Sequence, residues 1–365
     1  MANRDMESYT SRKNNKKQQL KVVTLVIYAL AALLLILLLV LCISAIADSC
    51  SGDSGEVKLP TESVQFGSLR VTEEDAKTGT LVLANELNPY SISDDDPSLT
   101  DVYNYRNQKH GGNNPYQLSG MFSYMNKTAL TALDEMLTAC AQETGVKNVL
   151  VRVAYMTAAE RQANPGLLKT HADDWKTGLG AELRIMTETG NAALTSNSVV
   201  YAWFVENAAK YGFIERYPVD KATMTGVAEY IGYFRYVGVA HATYIKANGL
   251  CLEEYLEFLT RYTSKDRLTI TGADGKTYEV YHCEVSGSGA AISCPSNYAY
   301  TLSGTNKGSV IVTIDRTTAV DQPISTGGES SSDSLPVVDT TPETGSETTP
   351  ETSPETSTEV ATTAS

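Results

Sequence analysis

His171, Asp173, Asp174 and Glu182 fall in one short stretch of the chain, and His241 follows in a segment of helical pattern. His, Asp and Glu are the side chains that hold a zinc ion and let it activate a bound water. A metal site assembled from His171, Glu182 and His241 is therefore one chemistry open to this chain. The plainer expectation is that His171, Asp173 and Asp174 form a solvated loop and that His241 is an ordinary helical residue. His110 and His282 lie in other segments, and His282-Cys283 is a single doublet without the partner pair that a structural zinc site needs.

Longer patterns surround these residues. Asp173-Asp174-Trp175-Lys176-Thr177-Gly178-Leu179-Gly180-Ala181-Glu182-Leu183 has the outline of a metallopeptidase segment. Two more runs accompany it: Trp203 through Pro218, reading WFVENAAKYGFIERYP, and Arg235-Tyr236-Val237-Gly238. Together they resemble the VanY-type D-alanyl-D-alanine carboxypeptidases, the zinc-dependent LAS-fold peptidases. In that family the first segment reads Ser-x-His-x-x-Gly-x-Ala-x-Asp, the second Trp-x-x-Glu-Asn-x-x-x-Tyr-Gly-Phe-x-x-Arg-Tyr-Pro, and a Glu-x-Trp-His run precedes the third. The resemblance covers roughly residues 80–262, with a β-tail at Tyr298 to Val312 like that of some members.

The resemblance implies a zinc ion held by two His and one Asp, a Glu that takes a proton from the attacking water, and an Arg that grips the peptide's terminal carboxylate. Carried over position by position, the first His falls on Trp175, the Asp on Glu182 and the second His on Tyr233. The base falls on Tyr230, with Glu229 one residue away, and the Arg on Met156, with Arg152 nearby at another register. An indole does not ligate zinc. Glu182 could still bind a metal, at a longer reach than Asp. Both histidines, the base and the clamp are replaced together, so the chain is expected to be a degenerate member lacking the zinc ligands, with no catalytic residue and no cofactor. Zinc is expected only if that reading is wrong. The candidate pocket is Tyr155, Met156, Trp175, Glu182, Tyr230, Tyr233 and Arg235. Its aromatic rings either form a groove that stacks on sugar or peptide, or fill the space left by metal and water.

The elements that would position these residues follow from periodicity. Residues 80–85 read as a strand, and 91–118 as polar loops. Apolar spacing predicts a helix over 128–144, with Asn126 as N-cap and Gly145 as stop. A strand follows at 149–155, then helices over 198–211, 239–248 and 251–261. Alternating segments over 263–316 read as a small β-module. The expected class is α+β, with helices on a small antiparallel sheet, an N-terminal transmembrane helix and the C-terminal β-module.

An uncharged apolar run over 22–47, about 26 residues, is long enough to span a bilayer. Basic residues precede it and acidic ones follow, which places the segment 1–21 in the cytoplasm and the rest outside the cell. A cleaved signal peptide is the competing reading, but the run exceeds the usual apolar core of such signals. Residues 48–79 read as a stalk with one short strand near Val64 to Val71, and 317–365 as a disordered acidic tail with repeated Pro-Glu-Thr units. The net charge of −14 argues against nucleic acid as a partner. An extracellular setting permits a disulfide between Cys283 and Cys294, while Cys140 and Cys251 read as buried thiols.

The function expected from these observations is a membrane-anchored extracellular pseudo-peptidase that binds peptidoglycan stem peptide or a cell-wall protein. The alternatives are an active D,D-carboxypeptidase that trims terminal D-Ala, and a structural surface-display protein.

Overall fold

The structure, a computed structural model, describes residues 62–120, 123–164, 172–228 and 230–320. The chain opens with β1 (Phe66–Val71), β2 (Leu99–Asp101), α1 (Val102–His110), β3 (Gln117–Leu118) and β4 (Tyr124–Asn126). It continues through α2 (Lys127–Thr144), β5 (Val149–Val153) and α3 (Ala158–Ala163), then β6 (Gly180–Thr187), β7 (Gly190–Ala193) and α4 (Val199–Asn207). Next come β8 (Phe213–Glu215), α5 (Ala222–Thr225), β9 (Tyr233–Tyr236), α6 (Val239–Asn248) and α7 (Leu252–Leu259). Five strands close the described chain: β10 (Leu268–Thr271), β11 (Thr277–Glu284), β12 (Ala290–Pro295), β13 (Tyr298–Gly304) and β14 (Ser309–Ala319).

The long helix α2 begins where the sequence sets it. The Asn126 side chain accepts from the backbone N–H groups of Thr128 and Ala129, and Gly145 ends the helix at φ 74°. Its buried face, including Leu130, Leu133, Met136 and Leu137, packs on Val149 and Val151 of β5, Leu183 of β6 and Phe234 of β9. These strands belong to a mixed sheet of order β3-β5-β6-β9-β8, with β7 paired to β6. The β3–β5 pair is parallel and the other pairs are antiparallel. A second, antiparallel sheet has the order β10-β11-β14-β13, and β1 pairs with β12.

Several expectations are corrected here. Residues 80–85 are not a strand. Leu81, Val82, Leu83 and Ala84 are buried, but their backbone is bound by other partners: the Leu81 N–H donates to the Ser303 hydroxyl and the Leu83 N–H to the Thr305 carbonyl. The segment read as polar loops contains β2 and α1, a helix whose residues are mostly polar. Part of the expected stalk, Phe66 to Val71, pairs with β12 and so belongs to the β-module. Cys283 and Cys294, expected as a disulfide, are free thiols here, on strands β11 and β12 of different sheets. Among the described residues no helix is long and apolar enough to cross a membrane; the expected span 22–47 lies outside them, as do segment 1–21 and tail residues 321–365.

Candidate functional site

Three neighbouring strands set the site. Across β6 and β9, Glu182 is paired with Tyr233. Across β5 and β6, Val153 is paired with Glu182, and the register shifts between Val151 and Val153. That irregularity falls on Arg152 and re-aims its side chain. Arg152 Nη1 donates to Glu182 Oε2, Arg184 Nη1 donates to Oε1 at 3.2 Å, and the Tyr230 hydroxyl donates to Oε2 at 3.0 Å. Glu182 is only 4% exposed, so its charge is met by guanidinium groups rather than by water.

A second buried carboxylate, Asp174, belongs to the same region. Asp174, in the 3-10 turn Asp173–Thr177, accepts on Oδ1 from Arg216 Nε at 3.1 Å and from Arg235 Nη1. Arg216 grips Glu253 of α7 with both terminal nitrogens, at 2.9 and 2.7 Å. Arg235 Nη2 donates to the carbonyls of Thr80 and Val82, each at 2.9 Å. The expected solvated loop is thus corrected at Asp174, which is fully buried; Asp173 pairs with Lys176 at 2.8 Å.

Between the two carboxylates stands a block of rings. Tyr217 stacks on Tyr230 with centroids 5.8 Å apart, and Tyr233 packs on both, at 5.5 Å from Tyr217 and 5.3 Å from Tyr230. Trp175 and Tyr155 complete the cluster. Trp175 is 6% exposed, Tyr230 9% and Tyr233 1%. Burial, and then the Glu182 charge, push the Tyr230 hydroxyl pKa up; burial, and then Asp174, do the same for Tyr233. Arg161 of α3 lies over the Trp175 ring at 5.0 Å and donates from Nη1 to the Met156 carbonyl. Asp94 anchors the start of α3 by accepting from the Ala158 N–H at 2.9 Å and from the Tyr155 hydroxyl at 2.6 Å.

No protein-family model matches the chain. A D-alanyl-D-alanine carboxypeptidase of Enterococcus faecium is 30% identical over 256 residues, covering 67% of this chain and 78% of the relative. This chain belongs to the D-alanyl-D-alanine carboxypeptidase family. The bifunctional D-Ala-D-Ala dipeptidase and D-Ala-D-Ala carboxypeptidase VanXYC of Enterococcus gallinarum is 43% identical over 58 residues, 16% of this chain and 30% of its own length. The crystal structure of the vancomycin resistance D,D-dipeptidase VanXYg, in complex with a D-Ala-D-Ala phosphinate analog, superposes with a TM-score of 0.57. It covers 69% of this chain and 99% of its own at 21% identity, a likeness in fold.

The three positions that the carboxypeptidase pattern assigns to zinc hold side chains that do not fit it. Trp175 offers an indole N–H, Tyr233 a phenol whose proton burial retains, and Glu182 a carboxylate already held by two arginines and a tyrosine. Among the described residues no three His, Cys, Asp or Glu side chains group to hold a metal. His171 and Glu229 lie outside the described residues. His241 is buried between α6, α7 and β14, its Nδ1 at 2.7 Å from the Tyr255 hydroxyl and its Nε2 at 3.0 Å from the Thr313 hydroxyl. His110 is tied to Asp134 of α2 at 2.7 Å, and His282 lines a polar cleft near α7.

One substitution in the family pattern has a steric counterpart. The family's Ala falls on Gly180, and a Cβ there would meet the Tyr233 hydroxyl at 2.6 Å and Asp174 Oδ2 at 2.9 Å. Tyr233, at the position that the pattern gives to the second histidine, therefore occupies space that a methyl group would fill. The structure brings Tyr155, Trp175, Tyr230 and Tyr233 together with Glu182 at their edge. Arg235 stands behind them on Asp174, while the Met156 side chain is buried outside the ring cluster. Tyr217, Arg216 and Arg161 escaped the sequence reading. The first two were visible in the Glu-Arg-Tyr-Pro end of the second motif; Arg161 had no signal beyond its charge.

Proposed function

We propose that this protein is a D-alanyl-D-alanine carboxypeptidase-like pseudo-peptidase that binds peptidoglycan stem peptide and does not hydrolyse it. The observation that carries the reading is the commitment of Glu182. It is the one carboxylate among the three candidate zinc positions, and Arg152, Arg184 and Tyr230 hold it in place. Releasing it to a metal would break its bonds to two partly buried guanidinium groups and a tyrosine, which is unfavourable. The reading includes an N-terminal membrane anchor over 22–47 with the folded part outside the cell, supported by the charge asymmetry around that run.

The test uses the purified full-length chain. After equilibration with zinc and dialysis, metal analysis should find well below one equivalent, and a peptide ending in D-Ala-D-Ala should release no D-Ala. Intact sacculi should retain the chain in a pull-down. Stoichiometric zinc together with D-Ala release would establish the active carboxypeptidase instead. Inactivity without retention on sacculi would leave a surface-display protein.

A further inference from the structure

A cleft on the other side of β9 belongs to none of this. Side chains alternate along a strand, so Phe234 faces away from Tyr233 and Arg235. Phe234, Phe204, Phe213, Ile214, Ile245 and Leu250 line a cleft of about 200 Å³ with Glu215 in its wall. Val205 stands at its rim and is 49% exposed.

The charges around the cleft are unequal. Lys221 pairs with Glu254 at 2.9 Å, and Lys246 donates to the Glu206 carbonyl while lying 3.6 Å from its carboxylate. Both rim cations therefore have acidic partners. Glu215 has none of the opposite sign: both its oxygens accept from the Tyr201 hydroxyl, at 2.9 and 3.0 Å, and among the described residues no cation lies within salt-bridge reach. Asp220 adds a second acidic group to the lining. Burial and the Asp220 charge push the Glu215 pKa up, in keeping with a carboxylate that lacks a counter-charge.

The geometry points to this cleft as a binding site for a small amphiphilic cation, a primary ammonium on an apolar body, with Glu215 as the counter-charge, Val205, Pro218 and Leu250 as the accessible apolar wall, and the buried Phe residues as its floor. A partly buried acid without a counter-charge, set in a largely apolar cleft whose two lysines are already paired, favours a cationic guest. This site is independent of the peptidase reading.

The probe is 2-phenylethylammonium, titrated into the purified full-length chain by calorimetry, beside the isosteric 2-phenylethanol and the anionic 3-phenylpropanoate. Saturable binding of the ammonium is expected, with the alcohol at least about tenfold weaker and the carboxylate weaker still. Glu215→Gln should cost the ammonium about tenfold and leave the alcohol unchanged. Val205→Trp, at the exposed rim, should weaken the ammonium by narrowing the mouth, and it decides the matter if Glu215→Gln does not fold. Equal binding of ammonium and alcohol, ammonium affinity untouched by the variants, or no saturable binding up to about 10 mM would overturn the assignment.

Discussion

At the scale of single residues, close packing decides what stands beside Gly180. Tyr233 reaches into the space beside Gly180, and its hydroxyl and Asp174 Oδ2 both lack a hydrogen-bond partner among the described residues. Such buried orphans are uncommon and mark a site where packing has outweighed hydrogen bonding. Restoring the family's residue with Gly180→Ala should therefore destabilise the fold by about 1–3 kcal/mol through overpacking. Denaturant midpoints would measure it, and the double variant with Tyr233→Phe should recover part of the loss; equal stability of Gly180→Ala and the parent would show that the ring moves aside freely. Asp174 is a more severe case. It is the shared anion between two buried arginines. Asp174→Ala should cost about 3–5 kcal/mol, because it leaves guanidinium charge buried without a partner. Arg216 retains Glu253 in that variant, so the loss should show chiefly around Arg235 as faster amide exchange in β9 and at Leu81 to Leu83.

At the scale of elements, legibility followed the strength of local signals. Asn126 and Gly145 bracket α2 in the sequence and in the fold, and residues 239–248 form the expected helix. Helix α1 was not legible because Tyr103, Asn104, Asn107 and Gln108 give it little apolar face. Residues 80–85 misled for the opposite reason: their apolar run fits a strand, and only tertiary partners such as Thr305 decide that it pairs with none. The gathering of Tyr155, Trp175, Tyr230 and Tyr233 followed from positions counted by motif spacing; the ion pairs that hold Glu182 and Asp174 were not legible, since they join residues far apart in sequence. His241 illustrates how such a long-range contact sets a property of whole elements. It joins α6 to α7 through Tyr255 and to β14 through Thr313. Burial lowers its pKa from 6.5 to about 4. Between those values the unfolded chain takes up a proton that the folded chain refuses. The associated stability is therefore intact above about pH 6.5 and is lost as pH falls toward 4, by up to about 3 kcal/mol. Comparing denaturant midpoints of the parent and His241→Gln across that range should show a steeper acid loss in the parent; parallel curves would mean that His241 titrates normally.

At the scale of the whole molecule, the question is whether residues 80–262 stand alone, as the motif coverage suggests. The packing says otherwise. Leu252, Leu256 and Leu259 of α7 share one core with Ile270, Val280 and Ile311 of β10, β11 and β14. Burying each such side chain contributes about 1.5–3 kcal/mol. Losing three partners therefore approaches the full stability of an ordinary domain, about 5–15 kcal/mol. The β-module also reaches the site through the backbone. Ser303 and Thr305 hold Leu81 and Leu83 in place, Asn306 donates to the Leu83 carbonyl at 3.0 Å, and the carbonyls of Thr80 and Val82 receive Arg235. Removing the module would thus free the segment that satisfies Arg235, and with it the setting of Asp174. A chain that stops after Tyr262 should lack a cooperative thermal transition by circular dichroism, whereas one that runs through Val320 should unfold in a single step. A cooperative transition in the shorter chain would show that the 80–262 region carries its own core and that the β-module is an accessory to it.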